Sequence, residues 1–182
     1  MSIMQREVLI IDTSGNYKYI SFVYGLKSEL YQLLAKLRSI VPSLKQSICD
    51  HKKSEKDAIR RKFVDEVEQS SSIICICILS NILIHAKYLQ KMFKMPKEKA
   101  KRTAFISTMQ KLSGVRAKYR IIPAEIHIDR ELEIFKAVIQ SFFPHSKIIT
   151  KTELIILADI LANINLRKPR MIKYKKRFIE IR

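Results

Sequence analysis

The stretch Glu7-Val-Leu-Ile-Ile-Asp12, then Thr13-Ser-Gly-Asn16, then Tyr17-Lys-Tyr-Ile-Ser-Phe-Val-Tyr24, decides the fold class. A short apolar run ends in a carboxylate, a turn signal follows, and the next run is rich in β-branched and aromatic residues. Two strand-like runs around such a turn predict a β-hairpin. Further on, Leu30, Leu33, Leu34, Leu37 and Val41 recur at helical spacing and Pro42 ends the pattern, which predicts a helix.

The rest of the chain alternates in the same manner. Ser54-Glu-Lys-Asp57 reads as a capping box for a helix with Ile59, Phe63 and Val67 on one stripe. Residues 72–79 read as a buried strand, and residues 85–116 as one or two helices broken near Pro96. Residues 121–129 are strand-like, 131–143 helical and 147–150 a short strand. Thr150-Lys-Thr-Glu153 then caps a helix running to about Leu166. This order predicts an α/β fold, a mixed sheet flanked by helices whose later strands are parallel. The expected organisation is a single domain over 1–182, with a basic helical insertion at 85–118 and a basic tail at 167–182 that has no single period.

The chain has 182 residues, 35 Lys+Arg against 17 Asp+Glu, and a formal net charge of +18. With 47% apolar content and only three Gly and five Pro, it is neither collagen-like nor a disordered linker. Three cysteines without CxxC spacing argue against a disulfide framework and a structural zinc, so a reducing, cytoplasmic setting is expected. Cys75 and Cys77 fit the core better than a redox pair. The first residues lack the pattern of a signal peptide, and the longest apolar stretch, 73–84, is too short for a membrane span.

Three carboxylates sit where apolar elements ordinarily carry none. Asp12 closes the first strand, Asp129 closes Ala124-Glu-Ile-His-Ile, and Asp159 interrupts Leu154-Ile-Ile-Leu-Ala-Asp-Ile-Leu-Ala-Asn-Ile164. An unpaired buried carboxylate is strongly unfavourable, so each needs a cation, a basic partner or a wet cleft. Ligands in α/β folds sit at the carboxyl ends of parallel strands, where Asp12 and Asp129 would meet, and a helix on the sheet can bring Asp159 there. Ala158 and Ala162 permit its close approach, and Asn163 shares the face of Asp159. Hard carboxylate oxygens suit Mg²⁺ or Mn²⁺, and two such ions activate water at a phosphodiester. The plainer reading is that Asp12 caps a turn, Asp129 caps the next helix and Asp159 pairs with a Lys or Arg. His127 reads as a hydrogen-bonded structural histidine or a proton-transfer aid, and Ser14 as a turn residue.

Leu9-Ile-Ile-Asp-Thr-Ser-Gly-Asn16 resembles the Asp-Glu-Ser-Gly opening of a widespread, poorly characterised family with a ribonuclease H-like fold. Ile126-His-Ile-Asp-Arg130 is similar to that family's apolar strand ending in Asp-Arg, and Ile156-Leu-Ala-Asp-Ile-Leu-Ala162 to its closing Leu-Ala-Asp helix. The resemblance touches both ends of the chain and says little about residues 28–118. It implies a ribonuclease H-like nuclease in which Asp12, Asp129 and Asp159 bind Mg or Mn. Thr13 stands where the family usually has Glu, so a fourth ligand must come from elsewhere. Glu125, on the strand face of Asp129, is the choice, with Glu66 and Glu153 as alternatives. If none reaches the cleft, the expectation becomes a nucleic-acid binder without catalysis.

The positive charge is localised. Residues 86–120 hold 11 Lys+Arg and one acid, and residues 167–182 hold eight and one. The expected phosphate contacts are Lys97, Lys99, Lys101, Arg102, Arg116, Lys118 and Arg120 in the first segment, and Lys173, Lys175, Lys176 and Arg177 in the second. Tyr88, Phe93, Tyr119, Tyr174 and Phe178 are interleaved with them, and exposed rings stack on unpaired bases. The partner expected first is DNA or RNA, with an acidic lipid surface or acidic protein as the alternative.

Overall fold

The computed structural model describes residues 6–14, 16–44 and 47–182 of the chain. The expected hairpin is formed by β1 (Glu7–Ser14) and β2 (Tyr19–Leu26), antiparallel, with Asp12 opposite Ser21 and Ile10 opposite Val23. The Lys18 N–H donates to the Ser14 carbonyl at 3.0 Å across the turn, and Gly15, part of the turn signal, lies outside the described residues. The start of the chain, which bore on the signal-peptide question, lies outside them too.

Four more strands complete one sheet: β3 (Ile74–Leu79), β4 (Glu125–Ile128), β5 (Lys147–Thr150) and β6 (Phe178–Ile181). The order is β5-β4-β1-β2-β3-β6. β4 is parallel to β1 and β5 to β4, β3 is antiparallel to β2, and β6 is parallel to β3. All strands but β2 therefore run the same way. This is the expected α/β architecture, a mixed sheet flanked by helices.

Alternation along the strands divides the core into two layers. Val8, Ile10, Val23 and Cys75 face α1 (Lys27–Ile40), α2 (Lys53–Gln69) and α6 (Ile155–Arg167). Leu9, Ile11, Phe22, Ile76 and Ile126 face α3 (Ile82–Phe93), α4 (Lys97–Tyr119) and α5 (Lys136–Phe142). On the second face Phe105 of α4 stacks on Phe135, ring centroids 4.2 Å apart and planes at 9°. The residues read as basic insertion are thus the helical hairpin that covers this face of the sheet.

Three local readings are corrected. α2 begins before Ser54, with the Lys52 N–H donating to Glu55 Oε2 at 3.1 Å, so Glu55 rather than Asp57 closes the box. No side chain caps α6: Thr150 ends β5, the Thr152 hydroxyl meets His127 and Glu153 pairs with Arg38. The basic tail is not free, because Ile172 and Phe178 are buried and Phe178–Ile181 add the sixth strand. Its reading failed because four residues between Arg177 and Arg182 show no period, and only β3 makes them a strand.

Candidate active site

β1 and β4 run side by side, with Ile11 level with Ile128, and the Asp129 N–H donates to the Ile11 carbonyl at 3.4 Å. Asp129 therefore follows its strand at the level where Asp12 follows Ile11. Strand alternation turns Asp12 and Asp129 toward the face covered by α6, because Ile11 and Ile128 point to the other. α6 lies on β1 and β2 with Ala158 and Ala162 fully buried, and it carries Asp159.

Each carboxylate has a different local setting. Asp12 is buried and accepts the Thr13 N–H at 2.7 Å. Asp159 accepts the Ile48 N–H at 2.8 Å and a hydrogen bond from the Ser47 hydroxyl. Asp129 heads a 3₁₀ turn over Arg130–Phe135, yet its side chain makes no capping hydrogen bond. Among the described residues, no Lys, Arg or His forms an ion pair with any of the three.

The electrostatics follow. Burial, and next the charge of Asp159, push the Asp12 carboxyl up to about 8; Asp129 and Glu131 add to the rise and the Thr13 N–H opposes it. Burial also raises Asp159, with Asp129 and Asp50 contributing, against the hydrogen bonds from Ile48 and Ser47. The three carboxylates thus sense one another. They are not a closed cage: among the described residues no three His, Cys, Asp or Glu side chains stand together as a metal-holding group.

Glu125 is not brought to this group. It starts β4 level with Val8, four residues or about 13 Å of strand from Asp129. Lys27 Nζ lies 2.8 Å and Arg6 3.5 Å from its carboxylate, and His127 Nε2 3.2 Å. Despite the cost of burial, the hydrogen bonds from Lys27 and His127 hold Glu125 below the ordinary carboxylate range. His127 Nδ1 meets Thr152 Oγ1 at 2.7 Å, so both ring nitrogens are used structurally. Glu66 is held by Lys36 and Lys62. Asn163 accepts from the buried Arg60 guanidinium rather than joining Asp159.

Glu131, just beyond Asp129 and absent from the expected set, adds a further and smaller rise to Asp12 after Asp159 and Asp129. The Tyr17 hydroxyl donates to the Glu131 carbonyl at 3.3 Å, tying the hairpin turn to this segment. Two cations were also missed. Arg130 and Lys151 line a cleft of about 290 Å³ together with Asp129, Thr152, Glu153 and Ile156. Lys151 was legible in principle, since it follows Thr150, which sits level with Ile128 on the next parallel strand. Ser14 ends β1 with its hydroxyl buried and without a hydrogen-bond partner among the described residues.

The expected phosphate-binding residues fall into two groups. Lys97, Lys99, Lys101 and Arg102 open α4, whose Glu98 acts electrostatically on Tyr17 at the carboxylate edge. Lys118 and Arg120 precede β4, and Lys173, Lys175, Lys176 and Arg177 precede β6, so both sets lie at the opposite edge of the sheet. Arg116 is engaged, donating to the Phe142 carbonyl with its guanidinium 4.6 Å from the Phe143 ring centroid. Lys101 stands 3.8 Å from Glu98.

No protein-family model matches the chain, and no curated protein matches it. Among solved structures the chain is similar to one in the PCNA:RNase HII complex from Archaeoglobus fulgidus. The likeness has a TM-score of 0.47 at 10% identity, covering 93% of this chain and 75% of that one. Among the described residues, no helix is long and apolar enough to cross a membrane.

Proposed function

We propose that this protein is a divalent-metal-dependent nuclease acting on DNA or RNA, with Asp12, Asp129 and Asp159 as the residues that hold Mg²⁺ or Mn²⁺. The observation that carries the reading is Asp12: a buried carboxylate facing two others, raised to about 8, whose repulsion a bound cation would relieve. The donor set is hard oxygen, which suits these ions and not zinc. A bound ion of this kind supplies Lewis acidity toward a phosphodiester and lowers the pKa of its water. The chain's own residues do the rest. Asp12 and Asp159, anchored by the Thr13, Ile48 and Ser47 donors, keep their oxygens oriented. Arg130 and Lys151 neutralise phosphate beside Asp129, and the start of α4 holds a neighbouring phosphate.

A second reading, binding without cleavage, is favoured by one fact. The carboxylates are not gathered as a three-residue metal cage among the described residues. The two readings separate in one assay. Single-stranded, duplex, hybrid and branched substrates are incubated with Mg²⁺ or Mn²⁺, using the parent, Asp129→Asn and Asp159→Asn. Cleavage by the parent, lost in both variants while binding survives, supports the nuclease. Binding without cleavage of any substrate leaves the binder.

A further inference from the structure

Among the described residues ten large apolar side chains are exposed, and four of them crowd onto one twelve-residue helix. Ile84 is 69% exposed, Tyr88 54%, Met92 57% and Phe93 65%. α3 buries Ile82, Ala86 and Leu89 in the core layer it shares with α4, so its apolar residues are on both sides, only one of which the fold covers. A helix facing only water would place polar residues there.

The exposed side is ordered. Ile84, Tyr88 and Met92 are four residues apart and make one row along the helix. Lys87 and Lys91 make an adjacent row, displaced by roughly 60 to 100° around the axis at 100° per residue, and Lys94 follows at the left-handed C-cap of the helix. α3 contains no acid, and the following Lys97, Lys99, Lys101 and Arg102 extend the cationic row against Glu98 alone. The Tyr88 and Phe93 rings meet at 76° with centroids 6.4 Å apart. An edge-to-face contact occupies at most one face of one ring, so both keep a free π-face.

α3 also starts at the right place. It leaves the carboxyl end of β3, the edge that carries Asp12 and Asp129, with Ser80 and Ile82 N–H groups bonded to the Lys18 and Tyr17 carbonyls. Tyr17 in turn holds Glu131.

From the two rows we infer that α3 is a docking platform for unpaired nucleotides, whose bases lie on Tyr88 and Phe93 and whose phosphates follow Lys87, Lys91 and Lys94. This rests on the nucleic-acid reading above and names its substrate class: a strand with bases out of the duplex. Paired bases hide their faces, so rings would have no use on a duplex, whereas each ring stacks on any unpaired base. A second copy of the chain does not fit the stripe, because it would set lysine row against lysine row in a chain of net charge +18. A helix lying in a bilayer surface presents one broad apolar face with basic residues on the other side, whereas here half of the solvent face is lysine.

The test is equilibrium binding, by fluorescence anisotropy, of a labelled short oligo-dT and of a blunt duplex across a salt series. The proteins are the parent, a Tyr88→Ala/Phe93→Ala variant, a Tyr88→Leu/Phe93→Leu variant that stays apolar, and Lys87→Gln/Lys91→Gln. The rings are more than half exposed, so the variants should melt as the parent does by circular dichroism. Expected is a loss of about tenfold or more on oligo-dT for both ring variants, with duplex affinity and salt slope unchanged. The lysine variant should lower the salt slope on oligo-dT by up to about 1.4, at 0.7 per contact. Equal affinity of parent and ring variants for oligo-dT, or duplex binding alone, overturns the platform and leaves the nucleic-acid reading standing. No binding to either probe, with sedimentation on phosphatidylserine vesicles that the ring variants lose, overturns both.

Discussion

Asp12 of β1 and Asp159 of α6 repel one another across the interface between sheet and helix, and the Asp12 carboxyl holds its proton up to about pH 8. The pair makes the stability of the fold depend on pH. In the unfolded chain Asp12 titrates near 3.9. Its folded value is raised, so the folded state binds the extra proton, and the stability this provides is complete below about 4 and lost as pH climbs toward 8. Chelator-treated protein should therefore lose several kcal/mol between about pH 4 and 8, at about 1.4 kcal/mol per unit. Asp12→Asn should flatten that slope. Thermal melts at a series of pH values check it, and an equally steep slope in the variant refutes it.

A divalent cation should reverse that loss. Mn²⁺ or Mg²⁺ at about a hundred times its dissociation constant stabilises the folded state by about 2.7 kcal/mol, so Tm should rise with ion concentration at pH 8. In Asp159→Asn and Asp129→Asn the rise should shrink. Calorimetric titration of the parent with Mn²⁺ gives the independent reading.

Glu125 should behave in the opposite sense to Asp12. Its folded pKa is lowered by Lys27 and His127, so its contribution is present above the unfolded value near 4.3 and vanishes as pH falls through the lower folded value. Lys27→Met leaves a buried charge with weaker partners and should cost about 3 kcal/mol at pH 7, less at pH 3. Urea unfolding at the two pH values measures it.

The two basic groups should separate on short substrates. Lys97→Gln/Lys99→Gln/Arg102→Gln alters the carboxylate edge and should lower the salt slope for a short oligonucleotide. Lys173→Gln/Lys175→Gln/Lys176→Gln alters the opposite edge and should change the slope only when the substrate is long enough to reach both. Equal effects on the short probe would show that it binds elsewhere.

Much of this was legible in the chain. The hairpin, α1, β5 and the positions of Asp12 and Asp129 at adjacent strand ends follow from local signals: alternation, leucine spacing, and a carboxylate closing an apolar run. What was not legible depended on partners distant in sequence. Glu125 shares its strand face with Asp129, yet which cations meet it is decided by Lys27 and Arg6, some hundred residues away in the chain. Glu131 is an ordinary exposed acid until a 3₁₀ turn replaces the first turn of the expected helix and brings it near Asp12. Residues 85–116 read as one or two basic helices broken near Pro96, and only the knowledge of which side of α3 the fold covers reveals that the other is apolar too.

The pairing of β6 with β3 sets an order of events in folding. Cys75 meets Phe178 across about a hundred residues of chain, whereas β1, β2 and their turn close locally. β3, whose sequence is Ile-Cys-Ile-Cys-Ile-Leu, is thus a strand whose outer N–H and C=O groups wait for a contact made across about a hundred residues. Until Phe178–Ile181 arrive, that edge is uncharged, flat and open to any other chain with the same gap. The lysines that precede β6 surround the gap with like charge, so two half-folded molecules repel before their edges can join. A basic segment remote from the carboxylates thereby acts as a guard during folding, whatever it binds afterwards.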